Sequence, residues 1–208
     1  MIRIYLFTYA GDADEAQACV RCALAALPEA VITVADDEAD PVPERTRKAL
    51  LAAGARYRQT SFPRYGNLRG PECVRGIISM LAGEAADDDI VVKIDSDTAL
   101  LNGAWIRDMS ETGAHWCASG ADSRQFYGLC YAMTGLAAKR AAEVLMQADL
   151  PDNAPEDLTI GHTVIELFGV GKGELYPPGR PKTGLAAGRH GTGSAFRSPR
   201  KNMLGLTL

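Results

Sequence analysis

The chain has 208 residues, 47% of them hydrophobic and 23% charged. That length and balance suit one folded domain and exclude collagen-like, low-complexity and largely disordered classes. A formal net charge of −4 with a pI near 5.4 argues against a general nucleic-acid binder.

Residues 2–8 alternate and are rich in β-branched and aromatic side chains, which predicts a strand. Gly11 and an Asp14-x-x-Gln17 capping box then predict a helix over residues 14–27. A short apolar run at 30–35 predicts a second strand, closed by the acidic stretch 36–40 and followed by a helix over 43–53 that stops at Gly54. Residues 56–61 read as a third strand, 62–70 as a turn-rich loop, and 71–81 as a helix with proline in its first turn. Residues 90–94 form the fourth strand, apolar throughout except for Lys93, as expected of a strand covered on both faces.

This alternation implies βαβ units, right-handed crossovers and an α/β fold with a mostly parallel central sheet. After Asp97 the pattern changes. Strands at 114–118 and 126–133 are separated only by a polar turn, which predicts mixed additions in the second half, and helices over 136–147 and 155–168 follow. A Gly/Pro-rich tail begins at Gly171. A single domain over 1–208 is expected, divided where the pattern changes into 1–97, 98–170 and a basic tail (171–208) that is a candidate lid.

No apolar stretch approaches the roughly 20 residues that cross a bilayer, and the first ten residues lack a basic n-region and a cleavage site. A cytoplasmic protein without a transmembrane segment is the expectation. Five irregularly spaced cysteines agree with a reducing compartment. Cys19 and Cys22 form a CxxC in the middle of an alanine-rich helix, where buried structural thiols are expected rather than a redox pair. Charge is unevenly placed. Residues 1–44 hold nine acidic and two basic side chains, 45–75 hold eight basic and one acidic, and from Leu175 onward there are six basic and none acidic.

The most specific feature is Val91-Val92-Lys93-Ile94-Asp95-Ser96-Asp97-Thr98. A buried parallel strand delivers its C-terminal end to the crevice where ligands of open α/β sheets bind. In an extended segment Asp95 and Asp97 point the same way about 6.6 Å apart. Two like charges brought close favour a cation between them, and a hard Mg²⁺ or Mn²⁺ with a phosphate partner is the natural occupant. The bland alternative is a strand end that caps the next turn.

These residues carry a resemblance. The sequence looks like a GT-A fold glycosyltransferase of the nucleotide-diphospho-sugar transferase superfamily, whose DxD motif ends a strand of a Rossmann-like nucleotide-binding half. The segment VVKIDSDTALLN is similar to fringe-like and β-1,3-galactosyltransferase-like enzymes; residues 126–134 (FYGLCYAMT) resemble their glycine-containing strand, and 155–161 (PEDLTIG) their Glu-Asp helix start. The resemblance implies a sugar moved from a nucleotide diphosphate, with a UDP-sugar expected, to an unknown acceptor hydroxyl with inversion. It implies Asp95 and Asp97 as metal ligands, Asp157 as the base with Glu156 in reserve, and a late-loop histidine as third ligand, for which His190 among its glycines is the choice.

For the donor, the resemblance points to the ends of the first two strands, hence Thr8, Tyr9, Asp36 and Asp37. Ser96 joins them as a donor-binding residue, Gly128 lies on the strand that resembles the one beside the sugar, and Arg69 and Arg75 are the diphosphate contacts, Arg75 the better placed. Tyr127 or Tyr131 is available to a sugar ring, although core packing is the default for both. Two other readings compete: a non-catalytic nucleotide-sugar-binding domain, and a haloacid dehalogenase-type phosphohydrolase, whose DxDx(T/V) pattern is met here by Ala99 in the last place with Thr98 one position early.

Overall fold

The computed structural model describes residues 1–64, 68–119, 126, 128–169, 173–176 and 196–197. Strands β1 (Ile2–Thr8), β2 (Val31–Asp37), β3 (Arg56–Thr60) and β4 (Ile90–Asp95) alternate with helices α1 (Ala13–Ala26), α2 (Glu44–Ala52) and α3 (Pro71–Gly83). A two-residue strand β5 (Ala99–Leu100) and helix α4 (Ala104–Thr112) follow, then strands β6 (Trp116–Ser119) and β7 (Cys130–Thr134), helices α5 (Gly135–Leu145) and α6 (Glu156–Phe168), and strands β8 (Gly173–Tyr176) and β9 (Phe196–Arg197). Among the described residues no helix is long and apolar enough to cross a membrane.

The main sheet has seven strands in the order β3-β2-β1-β4-β7-β6-β8. The first four pair in parallel, β7 runs antiparallel to both β4 and β6, and β8 lies parallel to β6. The α/β fold and the mixed second half are therefore as the sequence pattern predicts. Period-two alternation divides the side chains between two cores. Ile4, Leu6, Val92, Ile94 and Cys130 face α1 and α4, while Tyr5, Phe7, Val91, Tyr131 and Met133 face α3, α5 and α6. Helices thus cover both faces, and the charged Lys93, adjacent in register to Tyr5 and Tyr131, falls in the second layer.

Several local expectations need correcting. α1 begins at Ala13, after a 3-10 turn at Ala10–Asp12, so Asp14 lies inside the helix and the capping box does not form. Gln17 instead donates from Nε2 to the Ala13 carbonyl at 3.3 Å. β2 runs on through Asp36 and Asp37, because both residues find ladder partners in β1 or β3. β5 and α4 were absent from the sequence pattern: β5 is too short to show a period, and at the start of α4 the cap position is Gly103, which has no side chain, with Asn102 accepting from the Ala104 N–H instead. All five cysteines are free and buried, and burial pushes the Cys19 and Cys22 thiols up, which leaves them inert.

At the end of the sheet where β1 and β4 begin, Asp89 ties the two strands together. Its carboxylate accepts from Arg3 Nε at 2.8 Å and from the Ala86 N–H at 3.0 Å, and pairs with the Met1 nitrogen at 2.9 Å. Burial opposes ionisation, but these donors outweigh it and hold the carboxyl well below the usual carboxylate range. A depressed native pKa stabilises the fold above the unfolded-state value near 3.9 and is lost as the pH falls below it. Asp89→Asn is expected to cost about 2–3 kcal/mol at pH 7, with the gap to wild type narrowing as the pH drops toward 3. Urea unfolding at both pH values checks this.

Candidate active site

β1, β2 and β4 end on one side of the sheet, where an open cleft of about 520 Å³ is bounded by residues from the following loops and from the start of α6. Ten of the residues predicted from sequence line it: Thr8, Tyr9, Asp37, Arg69, Asp95, Ser96, Asp97, Gly128, Glu156 and Asp157. Asp12, Asp40, Arg64 and Leu68 line it too, and sequence reasoning had not singled them out. His190 and Tyr127, with most of the tail and its candidate lid, lie outside the described residues.

Asp95 and Asp97 reach the cleft by a route other than strand periodicity. β4 stops at Asp95, and the Thr98 N–H donates to the Asp95 carbonyl at 3.0 Å, so the chain turns at once. This turn, instead of an extended segment, brings both carboxylates to the same opening. Asp95 is held from several sides: its N–H donates to the Leu129 carbonyl at 3.0 Å, the Cys19 thiol donates to its carbonyl at 3.8 Å, and Lys93 Nζ pairs with its Oδ1 at 2.6 Å. Burial raises the Asp95 pKa; Lys93 opposes the rise, while the charges of Asp97 and Asp157 add to it. Ser96 is buried, and its hydroxyl donates to Asp12 Oδ2 at 2.8 Å, which joins the β1–α1 loop to the turn after β4.

Lys93 is fully buried, and its ammonium contacts Asp95 Oδ1 at 2.6 Å, Glu156 Oε1 at 2.6 Å and the Gly128 carbonyl at 2.5 Å. Burial alone would lower its pKa, but Asp95 and Glu156 outweigh that and raise it, so it stays charged. Glu156 also accepts from the Tyr131 hydroxyl at 2.8 Å, and burial pushes its pKa up to about 7. With both oxygens engaged, Glu156 supports the cleft from beneath and is unsuited to the reserve-base role. Tyr131 is fully buried with it, so the aromatic available to a sugar ring is not this one.

Asp157, half-buried at the first turn of α6, uses Oδ1 to accept from the Leu158 N–H at 2.8 Å. Its Oδ2 lies 3.1 Å from where a Cβ would stand on Gly128, so glycine there leaves this carboxylate its room. On the nucleotide side, Tyr9 is 37% exposed, and its ring packs so closely over Gly11 that an added Cβ would fall 2.5 Å from it. Asp37 accepts from the Ala39 N–H at 3.0 Å, and Arg69 is held at the rim by a bridge to Pro155.

Two predicted donor contacts are elsewhere. Asp36 is fully buried and accepts from the N–H groups of Val42 and Asp37 and from the Tyr57 hydroxyl; it closes the loop over 38–42 rather than facing a ligand. Arg75 points away from the cleft and donates to the Leu145 carbonyl at 3.2 Å and the Ala148 carbonyl at 2.8 Å, satisfying free acceptors at the end of α5. Besides Arg69, the arginine that reaches the cleft is Arg64. It donates to the Thr8 carbonyl at 2.6 Å, the Ala35 carbonyl at 3.0 Å and Thr60 Oγ1 at 2.5 Å, and lies over the rings of Phe7 and Phe62. Its only sequence signal was membership of the basic stretch 45–75.

The cleft lining holds seven carboxylate residues and two arginines, an imbalance that a cation relieves. Among the described residues no cluster of three His, Cys, Asp or Glu side chains converges to hold a metal ion. The donor set therefore fits a hard cation that takes one or two protein carboxylates and fills its remaining positions from phosphate oxygens and water, as Mg²⁺ commonly does. It does not fit an ion caged by the described side chains alone.

No protein-family model matches the chain, and no curated protein matches its sequence. Its fold does match solved structures. The galactosyltransferase LgtC, in complex with donor and acceptor sugar analogues, is 17% identical with a TM-score of 0.52, over 83% of this chain and 72% of that one. Mannosyltransferase PcManGT from Pyrobaculum calidifontis, in complex with GDP-Man and Mn²⁺, is 13% identical with a TM-score of 0.52, over 85% of this chain and 54% of that one. Glucosyl-3-phosphoglycerate synthase from Mycobacterium tuberculosis, in complex with Mn²⁺, UDP-glucose and phosphoglyceric acid, is 13% identical with a TM-score of 0.51, over 84% and 68%. At such identities the common property is the fold, and the chain has the GT-A fold of these transferases.

Removing Arg64 would leave the carbonyls of Thr8 and Ala35 without this donor inside the protein. Arg64→Met is expected to destabilise the fold by about 2–4 kcal/mol, at roughly 1–3 for each such group. Arg64→Lys should recover little of this, because a single ammonium does not reproduce the guanidinium fork. Urea unfolding of the two variants reads the difference.

Proposed function

We propose that this chain is a metal-dependent glycosyltransferase that moves a sugar from a nucleotide diphosphate, with UDP-sugars the first donors to test, to an acceptor hydroxyl with inversion. The observation that carries this reading is the meeting of Asp95, Asp97 and Asp157 in one cleft at the ends of the parallel strands, beside a glycine whose missing side chain leaves Asp157 its space. The GT-A fold, and the nucleotide sugars and Mn²⁺ in two of the matching structures, support it.

Asp95 and Asp97 would hold Mn²⁺ or Mg²⁺, which when bound absorbs charge on the departing diphosphate. Thr8, Tyr9 and Asp37 line the part of the cleft that suits the nucleoside, and Arg69 stands where a guanidinium can meet phosphate oxygens. Asp157 Oδ2 takes the proton from the acceptor hydroxyl as its oxygen bonds to the anomeric carbon, and the bond from that carbon to the diphosphate oxygen breaks. A single carboxylate acting as base on the acceptor side agrees with inversion. Glu156 and Lys93 keep that carboxylate in place without entering the reaction. His190 would complete the metal's ligands from the tail.

A panel of nucleotide sugars, with and without Mn²⁺, is the first test. Thermal stabilisation by a UDP-sugar should require the metal and disappear in Asp97→Ala. Asp157→Asn should keep donor binding while transfer falls by about 10²- to 10⁴-fold, the usual contribution of a general base. Gly128→Ala should lower kcat at unchanged Tm, because its methyl group displaces the Asp157 carboxylate by a few tenths of an ångström. Donor binding without turnover in every condition would instead favour a nucleotide-sugar-binding domain, and phosphate release from simple phosphomonoesters a hydrolase.

A further inference from the structure

Lys93 binds the cleft together without entering it. An ammonium has three N–H groups and no acceptor, and here three acceptors surround it: Asp95 Oδ1, Glu156 Oε1 and the Gly128 carbonyl. No donor is left over for a phosphate, and no lone pair is available for proton transfer. The three acceptors come from different places in the chain, namely the end of β4, the start of α6 and the turn before β7. Glu156 Oε2 is occupied by the Tyr131 hydroxyl, so Lys93 and Tyr131 together use both oxygens of that carboxylate. Asp95 is engaged differently. Lys93 takes Oδ1, and the side chain remains 28% exposed at the cleft. One positive and two negative charges meet in this cluster, and the Glu156 charge is satisfied from within the protein. The surplus negative charge is therefore presented by Asp95, toward the opening.

We infer that Lys93 is a positioning residue for the cation site, an inference that rests on the metal-dependent reading above. By clamping Oδ1 it fixes the Asp95 side chain so that Oδ2 alone is offered to the cation, which makes the two aspartates unequal and leaves Asp97 as the principal ligand. Through Glu156 the same ammonium anchors the first turn of α6, and with it Asp157, to the strand that carries the metal ligands. Groups that orient a ligand in this way typically change metal affinity by about 10- to 100-fold when removed.

Lys93→Met alone would leave two carboxylates against an apolar side chain and threatens folding. The test therefore uses Lys93→Met/Glu156→Gln, which removes the buried charge pair, together with Lys93→Arg, which keeps the charge but replaces three converging donors by a planar fork. Folding is checked by circular dichroism and the urea midpoint. Mn²⁺ alone is then titrated into each protein, with free Mn²⁺ read by electron paramagnetic resonance. Asp97→Asn is expected to abolish binding, and both Lys93 variants to weaken it by about 10- to 100-fold. Adding Asp95→Asn to either Lys93 variant should cost less than Asp95→Asn costs in the wild type, because part of what Lys93 contributes acts through that carboxylate. If a folded Lys93 variant binds Mn²⁺ like the wild type while Asp97→Asn does not, the positioning role is overturned and the metal reading stands. If Asp97→Asn itself binds normally, the metal reading is what falls.

Discussion

A fully buried ammonium is tolerated only where partners replace its hydration, because an unpaired charge in a protein interior is far more costly than the fold's net stability can absorb. Lys93 meets that condition with two carboxylates and a carbonyl, and the demand organises everything above it. β4 must end where Asp95 can reach back, the turn before β7 must present the Gly128 carbonyl, and α6 must start with Glu156 pointing inward. Three segments far apart in the chain are fixed to one point. The face they present upward is the floor of the cleft.

Around that floor the strand ends are held by other buried polar groups. Arg64 gathers the carbonyls of Thr8 and Ala35 from β1 and β2, Asp36 closes the loop after β2, and Ser96 links to Asp12 across from β4 to the β1–α1 loop. None of these contacts binds a ligand in the proposed function. They stiffen the loops that do, which matters because catalytic geometry tolerates errors of only about an ångström before rates fall steeply.

The electrostatic character of the cleft follows from the same arrangement. The Lys93 ammonium is spent on Asp95 and Glu156, so the remaining carboxylates at the opening, Asp97 and Asp157 among them, face the cleft without an equal number of guanidinium groups. In the proposed function this surplus is met by a divalent ion and an anionic diphosphate taken up together, since each relieves the charge of the other. The GT-A fold supplies the place, and the side chains supply the chemistry.

Much of this was legible in the chain itself. Alternation and helix punctuation determined β1 to β4, their parallel pairing and the mixed second half, because period and turn chemistry are local properties, whereas the strand order came from the structure. The DxD and Glu-Asp motifs were legible for the same reason, and the fold brings their residues to one cleft. Lys93 was visible as the one charge in an apolar strand, but its partners at Gly128 and Glu156 are 35 and 63 residues away, and no local pattern names them. Arg64 and Arg75 show the limit most directly: both are arginines in one basic stretch, and only packing sends the first to the cleft and the second to the end of α5. The tertiary structure likewise decided that Asp36 is scaffold while Asp37 lines the cleft, since neighbouring residues on a strand face opposite ways and long-range contacts determine which of those ways is the interior.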